Sequence, residues 1–371
     1  SSNILDGLPG RETSMKILIT GATGMLGQEL VPLLLKAGHE VHALSRKSYK
    51  SSRIHYIKGD VTQPSLGIEH HVEVDAVLHM AALTSLRTRN KDELFIQNYL
   101  GTQNVVDYCK GHSIKRLFYV STSYVGGKTV KVLEEQTLPL VTEFNNLYEE
   151  SKYHAETYVC RSGLDYTVFR PGALIGRYSD GRSKFFEGFY RPIRALVTVH
   201  HFAEQRLKLP RREALESKLH LPALHIPIRL YGDPDSRGAT TPVDFAAKAM
   251  AKRLDNSSTG KVYNIVPDQL PTLLEITESV SEVLGIKGYH SSMERTRNPL
   301  DVFYNRLVQD FYPYLHDQPV IETSAGHECP LVDKSYLKKV IAYWRTHDLS
   351  TDKELVEEAR KDYDKPVAEG V

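Results

Sequence analysis

Residues 16–27 read Lys16-Ile-Leu-Ile-Thr20-Gly21-Ala-Thr-Gly24-Met-Leu-Gly27. The first five residues are a short β-rich run, the glycines follow at once, and an apolar helical pattern runs from about Met25 to Ala37 before Gly38 closes it. Strand, glycine turn and helix in that order are the context in which a glycine pattern carries meaning. The spacing is GxxGxxG, in which Gly21 permits the tight turn, Gly24 lets the backbone approach a pyrophosphate, and Gly27 allows close packing of helix on strand. The helix N-terminus adds unpaired N–H groups and a partial positive charge. The turn residues Gly21, Thr23, Gly24, Met25, Leu26 and Gly27 are therefore expected to hold the phosphates of a dinucleotide.

Outward from this unit the alternation repeats. Glu40–Leu44, Ile54–Ile57, Asp75–His79, Arg116–Val120 and Asp165–Phe169 read as short buried strands, with helical segments at Lys91–Gly111 and Tyr148–Ser162. Parallel strands need crossover connections, so apolar strands alternating with helices point to a doubly wound, Rossmann-like parallel α/β sheet covered on both faces. After Gly176 the rhythm breaks. Strands are expected at Ile226–Tyr231 and Val262–Val266 and helices at Val243–Leu254, Leu273–Leu284 and Lys334–His347. The expected organisation is an N-terminal extension or linker (1–14), a dinucleotide-binding domain (15–176) completed by a strand near 262–266, and a smaller, mostly helical substrate-binding or lid region (177–261 and 267–371). An aromatic run, Phe303 to Tyr314, reads as packing of that region or as the lining of an acyl tunnel.

Composition narrows the function classes. The 371 residues carry 47 Lys plus Arg against 46 Asp plus Glu, a net charge of +1, which argues against a nucleic-acid partner. The three cysteines are far apart and form no metal or disulfide framework, which suggests a reducing, cytoplasmic setting. No apolar stretch approaches the roughly 18–20 residues of a membrane span. The adjacent pairs His70-His71 and His200-His201 fit no metal-ligand pattern, so no metal is expected.

Two further patterns carry chemistry. At the end of the second strand, where a carboxylate would bind the ribose 2′-hydroxyl of NAD, the chain reads Leu44-Ser45-Arg46-Lys47. Arg46 can grip a 2′-phosphate with its fork of donors and Lys47 adds charge, so NADP(H) is the expected cofactor. In Tyr148-Glu-Glu-Ser-Lys152 the phenol and the ammonium are four residues apart and share a helix face. A nearby positive charge is expected to lower the phenol toward working pH and make Tyr148 a general acid or base.

From about Met15 to Leu284 these residues resemble the extended short-chain dehydrogenase/reductase family. The resemblance implies that Asp60 and Val61 contact adenine and that His79-Met-Ala81-Ala82 lines the cofactor ribose. It makes Asn98 the family's helix asparagine and sets Pro171 and Gly172, in Arg170-Pro171-Gly172, beside the nicotinamide. By the same resemblance Ser123, at the end of a strand 25 residues before Tyr148, hydrogen-bonds the substrate oxygen, with Thr122 as the neighbouring candidate. Lys152 then both tunes Tyr148 and holds the nicotinamide ribose.

Within that family, Asn146-Leu-Tyr148-Glu-Glu-Ser151-Lys152-Tyr-His-Ala-Glu156 is similar to the N-x-Y-x-x-S-K-W-x-x-E run of thioester reductases of fatty-acyl, polyketide and nonribosomal-peptide pathways, with Tyr153 in place of Trp. Arg182–Lys218 holds nine Lys or Arg against four Glu, a patch suited to a phosphopantetheine arm, coenzyme A or an acidic carrier protein, or else a solvated helix face. The expectation is an NADPH-dependent reductase of an acyl thioester, free or on an acyl or peptidyl carrier protein. The alternatives are an NADP-dependent dehydrogenase or epimerase of a secondary alcohol or nucleotide sugar, and a non-catalytic cofactor-binding protein.

Overall fold

The computed structural model describes residues 14–70, 72–86, 90–206, 227–254, 259–294 and 298–348. In it β1 (Lys16–Thr20) is flanked by β2 (Glu40–Ser45) and β3 (Ile54–Lys58) on one side. On the other side lie β4 (Ala76–His79), β5 (Arg116–Val120), β6 (Asp165–Pro171) and β7 (Lys261–Ile265), giving the order β7-β6-β5-β4-β1-β2-β3. Every pairing is parallel. The chain runs outward from β1 to β2 and returns to β4 on its other side, so the order reverses at β1 and β4. The carboxyl ends of the strands at such a reversal are where ligands bind in open α/β sheets.

Helices α1 (Met25–Lys36), α2 (Lys91–Phe95), α3 (Gly101–Gly111), α4 (Leu147–Cys160), α5 (Tyr190–Arg206) and α6 (Val243–Ala251) follow in chain order. Successive strand side chains point to opposite faces. Ile17, Ile19, Val41, Ala43 and Phe118 therefore pack with Leu30 and Leu34 of α1 and Phe245, Ala246 and Met250 of α6. Leu18, Val77, Leu117 and Tyr119 pack on the other face with Val105 and Cys109 of α3 and with Ala155 and Val159 of α4. Both faces are apolar because both are covered, which is why the strands read as continuous hydrophobic runs.

The helix expected over 91–111 is three pieces: α2, a π turn at Ile96–Leu100, and α3. The domain boundaries also differ from expectation. The described residues within 14–174, 241–268 and 319–330 form one compact unit. Helix α6 joins it because its apolar face covers the sheet beside α1. The stretch 319–330 joins it through the strand Val320–Ile321, parallel to Val132–Leu133, and through Ala325, which is fully buried in the core.

The second unit takes the described residues within 175–240, 269–318 and 331–348. It contains α5, α7 (Leu273–Leu284), α8 (Pro299–Leu307) and α9 (Lys334–His347), with a strand pair Arg229–Tyr231 and His290–Ser292. Helix α7 opens on a capping box between Thr272 and Glu275 and ends at Gly285. It lies along α9, where Glu278 pairs with Lys334 and Glu282 with Lys338. Of the aromatic run, Phe303 and Tyr304 are buried in α8, where the Tyr304 hydroxyl meets that of Tyr289 at 2.8 Å, while Phe311, Tyr312 and Tyr314 are half-buried. Among the described residues no helix is long and apolar enough to cross a membrane.

Candidate active site

The glycine turn is built from backbone that side chains would block. Gly21 lies at φ +79°, and a Cβ there would stand 2.8 Å from the amide nitrogen of Ala81. A Cβ on Gly27 would stand 2.5 Å from the carbonyl oxygens of both Gly21 and Ala22, so only glycine lets the first turn of α1 close on β1. Gly24 is the N-cap of α1 with extended backbone, no capping side chain and no acidic residue in the turn that follows. The first amides of a helix have no partner within it. This one offers them, uncapped and beside bare glycines, and the arrangement fits the pyrophosphate of a dinucleotide. Thr23, Met25 and Leu26 share this turn.

The other cofactor candidates sit at strand ends around it. Arg46 and Lys47 are exposed just after β2, and the Lys47 amide donates to Ser45 Oγ at 3.2 Å. Asp60 follows β3; its Oδ1 accepts from the Thr62 amide and hydroxyl, both at 2.9 Å, while Val61 is buried. Ala81 and Ala82 follow β4, and the amides of Met80 and Ala81 donate to Thr20 Oγ1 at 3.2 and 3.1 Å. Pro171 ends β6 and its carbonyl accepts from the Ser123 amide at 2.9 Å, while the Gly172 amide donates to the Ile265 carbonyl at 3.4 Å.

Tyr148 and Lys152 occupy the first turns of α4, whose N-cap Asn146 accepts from the Glu149 amide. The phenol of Tyr148 is hydrogen-bonded to Thr122. The hydroxyl of Ser123, only 1 % exposed, has no hydrogen-bond partner among the described residues. Lys152 Nζ donates to the Val120 carbonyl at 2.7 Å and lies 4.4 Å from the centre of the Tyr119 ring. The carboxyl end of β5 thus gathers Thr122, Ser123, Tyr148 and Lys152.

The electrostatics correct one expectation. Lys152 does not draw the Tyr148 phenol down: burial pushes it up to about 12, Glu149 adds to the rise, and the bond from Thr122 opposes it. Lys152 itself is pushed down to about 7 by burial, against the pull of Glu156. The physical reason is shared, because a low-dielectric site disfavours each charge before the two can help one another. Tyr148 is consequently a protonated phenol near neutral pH, the form that donates a proton.

Arg170, Glu156 and Asn98, which entered the sequence reading only as parts of motifs that resemble the family's, hold the frame of the site. Arg170 and Glu156 are an entirely buried ion pair linking β6 to α4, and Arg170 also donates to the carbonyls of Glu134 and Gln136, both at 2.9 Å. Asn98 sits in the π turn. It accepts from the Leu83 amide at 2.7 Å and donates to Ser151 Oγ at 2.9 Å, and Ser151 donates to the Tyr148 carbonyl at 2.8 Å. Single-turn π insertions of this kind are frequent at functional sites.

The basic segment is only partly described. Arg194 binds the Asp348 carboxylate and the Phe186 carbonyl, and Arg182 lies 3.4 Å from Asp180, so neither is an unengaged cation. The side chains of Arg206, Lys208, Arg211, Arg212 and Lys218 lie outside the described residues, as does His71.

The model of the NAD dependent epimerase/dehydratase family matches residues 17–266. A 2-alkyl-3-oxoalkanoate reductase of Stenotrophomonas maltophilia is 34% identical over 171 residues, 44% of this chain and 52% of that protein. A 3-beta-hydroxysteroid dehydrogenase of Mycolicibacterium neoaurum is 29% identical over 177 residues, 44% of this chain and 48% of that protein. The chain therefore spans about half the length of the curated relatives it matches. Among solved structures, the terminal R domain from the myxalamid PKS-NRPS biosynthetic pathway superposes with a TM-score of 0.69 at 20% identity, covering 92% of this chain and 93% of that one.

Proposed function

This chain belongs to the NAD dependent epimerase/dehydratase family, of the extended short-chain dehydrogenase/reductase type, and on that premise we propose that it is an NADPH-dependent reductase of an acyl thioester. The carrying observation is the pair formed by a protonated Tyr148 phenol and the buried, unpartnered Ser123 hydroxyl at the end of β5. Two donors converging there suit a carbonyl oxygen that gains negative charge as it is reduced. The thioester is favoured by the run Asn146 to Glu156 and by the likeness in fold to the terminal R domain. NADPH is favoured by Arg46 and Lys47, where an NAD site would carry a carboxylate.

When bound, the nicotinamide supplies the hydride equivalent. Tyr148 donates its proton to the substrate oxygen, Thr122 and Ser123 fix that oxygen in place, and Lys152 orients the cofactor ribose and Tyr148. One reduction consumes one hydride and one proton, and the resulting hemithioacetal releases a thiol and an aldehyde; a second reduction gives the alcohol. An acyl or peptidyl carrier protein, or coenzyme A, presents the thioester.

A second reading, reduction of a ketone or oxidation of a secondary alcohol, is favoured by the names of the two sequence relatives. Free thiol separates the two. NADPH consumption is followed together with thiol appearance for acyl-coenzyme A and acyl-pantetheine substrates, beside a 2-alkyl-3-oxo acid, a 3β-hydroxysteroid with NADP+, and UDP-glucose. Thiol released in step with NADPH oxidation is the expected result. Turnover of a ketone or alcohol with no thioester consumed overturns it. Arg46→Asp is expected to weaken NADPH while leaving NADH unchanged.

A further inference from the structure

Thr20, His79, Thr102 and Asn98 are each 1 % exposed, and their polar atoms form one continuous chain. Thr20 Oγ1 lies 2.7 Å from His79 Nδ1, His79 Nε2 lies 3.1 Å from Thr102 Oγ1, and Thr102 donates to the Asn98 carbonyl at 2.6 Å. Its direction follows from counting donors and acceptors. A hydroxyl has one proton and two lone pairs. Thr20 Oγ1 already accepts the amides of Met80 and Ala81, so its proton is left for His79 Nδ1. Nδ1 is then an acceptor, and a neutral ring carries its proton on Nε2 and donates it to Thr102. Thr102, accepting from the ring, passes its own proton to Asn98. Burial and the charge of Lys152 hold His79 down to about 3, in agreement with a neutral ring.

The two ends of this chain lie at the two halves of the site. Thr20 precedes Gly21 and fixes the Met80–Ala81 loop against the glycine turn. Asn98 belongs to the π turn, and its side chain holds Ser151 and thereby the first turn of α4, where Tyr148 sits. We propose that His79 and Thr102 are positioning residues: a one-way hydrogen-bond chain through the neutral Nε2–H tautomer of His79 couples the cofactor turn to the helix that carries Tyr148. The inference rests on reading the glycine turn as the cofactor cradle and is independent of which substrate is reduced.

A role for Thr102 confined to the Asn98 end would leave NADPH binding alone, since Thr102 reaches the cofactor turn only through His79. Coupling makes the opposite demand. In Thr102→Val the His79 donor loses its acceptor, the Thr20 end loosens, and NADPH binding by the substrate-free protein weakens about three- to tenfold, the range expected for one buried hydrogen bond. Thr102→Ser, which keeps the hydroxyl, restores it. Unaltered NADPH affinity in a folded Thr102→Val variant, or equal affinities for the Val and Ser variants, overturns the proposal. The tautomer is tested separately by 15N NMR of the histidine-labelled wild-type chain, with the His79 signals identified by their shift in Thr102→Val. A protonated Nε2 and a bare Nδ1 are expected, and a protonated Nδ1 overturns the chain. A wild-type protein that binds no NADPH refutes the cofactor reading instead, and the tautomer then decides the chain by itself.

Discussion

At the scale of single residues, the buried amine of Lys152 is at odds with its surroundings. Burial disfavours its charge more than the nearby Glu156 carboxylate favours it, so its pKa falls from 10.5 to about 7. A lysine lowered in the folded state binds fewer protons folded than unfolded across that interval. Unfolding then takes up a proton, so this contribution to stability rises with pH between about 7 and 10.5 and is flat below about 7. Lys152→Met keeps most of the stem and removes the charge. It should abolish turnover, and its stability advantage over the wild type should widen as pH falls from 9 to 7, by at most about 1.4 kcal/mol per pH unit. Urea denaturation of both proteins at several pH values measures this, and parallel pH profiles would refute it. Lys152 and Tyr148 were expected from their spacing taken together with the glycine fingerprint and the Ser123 strand ahead of them. Their protonation was not, because desolvation depends on what the rest of the fold packs around them.

At the scale of elements, α1 is the part most completely written into the sequence, and its glycines are expected to fail in different ways. A Cβ on Gly27 meets two carbonyl oxygens at 2.5 Å, neither of which can move without distorting β1 or the turn. Gly27→Ala should therefore lose about 1–3 kcal/mol of stability, as overpacking does. A Cβ on Gly24 meets only the Gly21 carbonyl, at 3.2 Å, so Gly24→Ala should keep nearly all the stability and lose affinity for the dinucleotide at the helix N-terminus. Thermal melts with and without NADPH distinguish the two outcomes, and equal losses of stability would contradict the assignment. The strand-turn-helix order was legible because glycine, apolar period and helix stop coincide within residues 16–38. The π turn was hidden: Ile96–Leu100 carries an ordinary helical pattern, and what widens it is the pull of Asn98 toward Leu83 and Ser151, partners 15 and 53 residues away.

At the scale of the whole molecule, a parallel sheet must end somewhere, and an open edge is a template for unwanted pairing. The β7 edge is closed by residues from distant parts of the chain. The Asn264 amide donates to the Glu135 carboxylate at 2.9 Å, and the Asn264 carbonyl accepts from the Thr323 hydroxyl at 2.7 Å. The Asn264 side chain donates to the carbonyls of Leu133 and Glu322, at 2.8 and 2.7 Å. Glu135 also takes the Ser324 amide at 3.0 Å, so the stretch 319–330 is bound to the sheet that the first half of the chain builds. Nothing in composition or periodicity announces this. The pairing strand Val320–Ile321 is two residues long, and the hydrogen bonds of the residues just after it reach 58 to 189 residues along the chain. Asn264→Asp preserves shape and removes the N–H donors, leaving a buried acceptor facing two carbonyls. It should cost about 1–3 kcal/mol or more, because unsatisfied buried groups carry their full desolvation penalty. The loss should shrink as pH falls and the new carboxyl regains a proton to donate. Denaturant melts at neutral and mildly acidic pH test this, and a variant as stable as the wild type would mean that the edge is held by the backbone contacts alone.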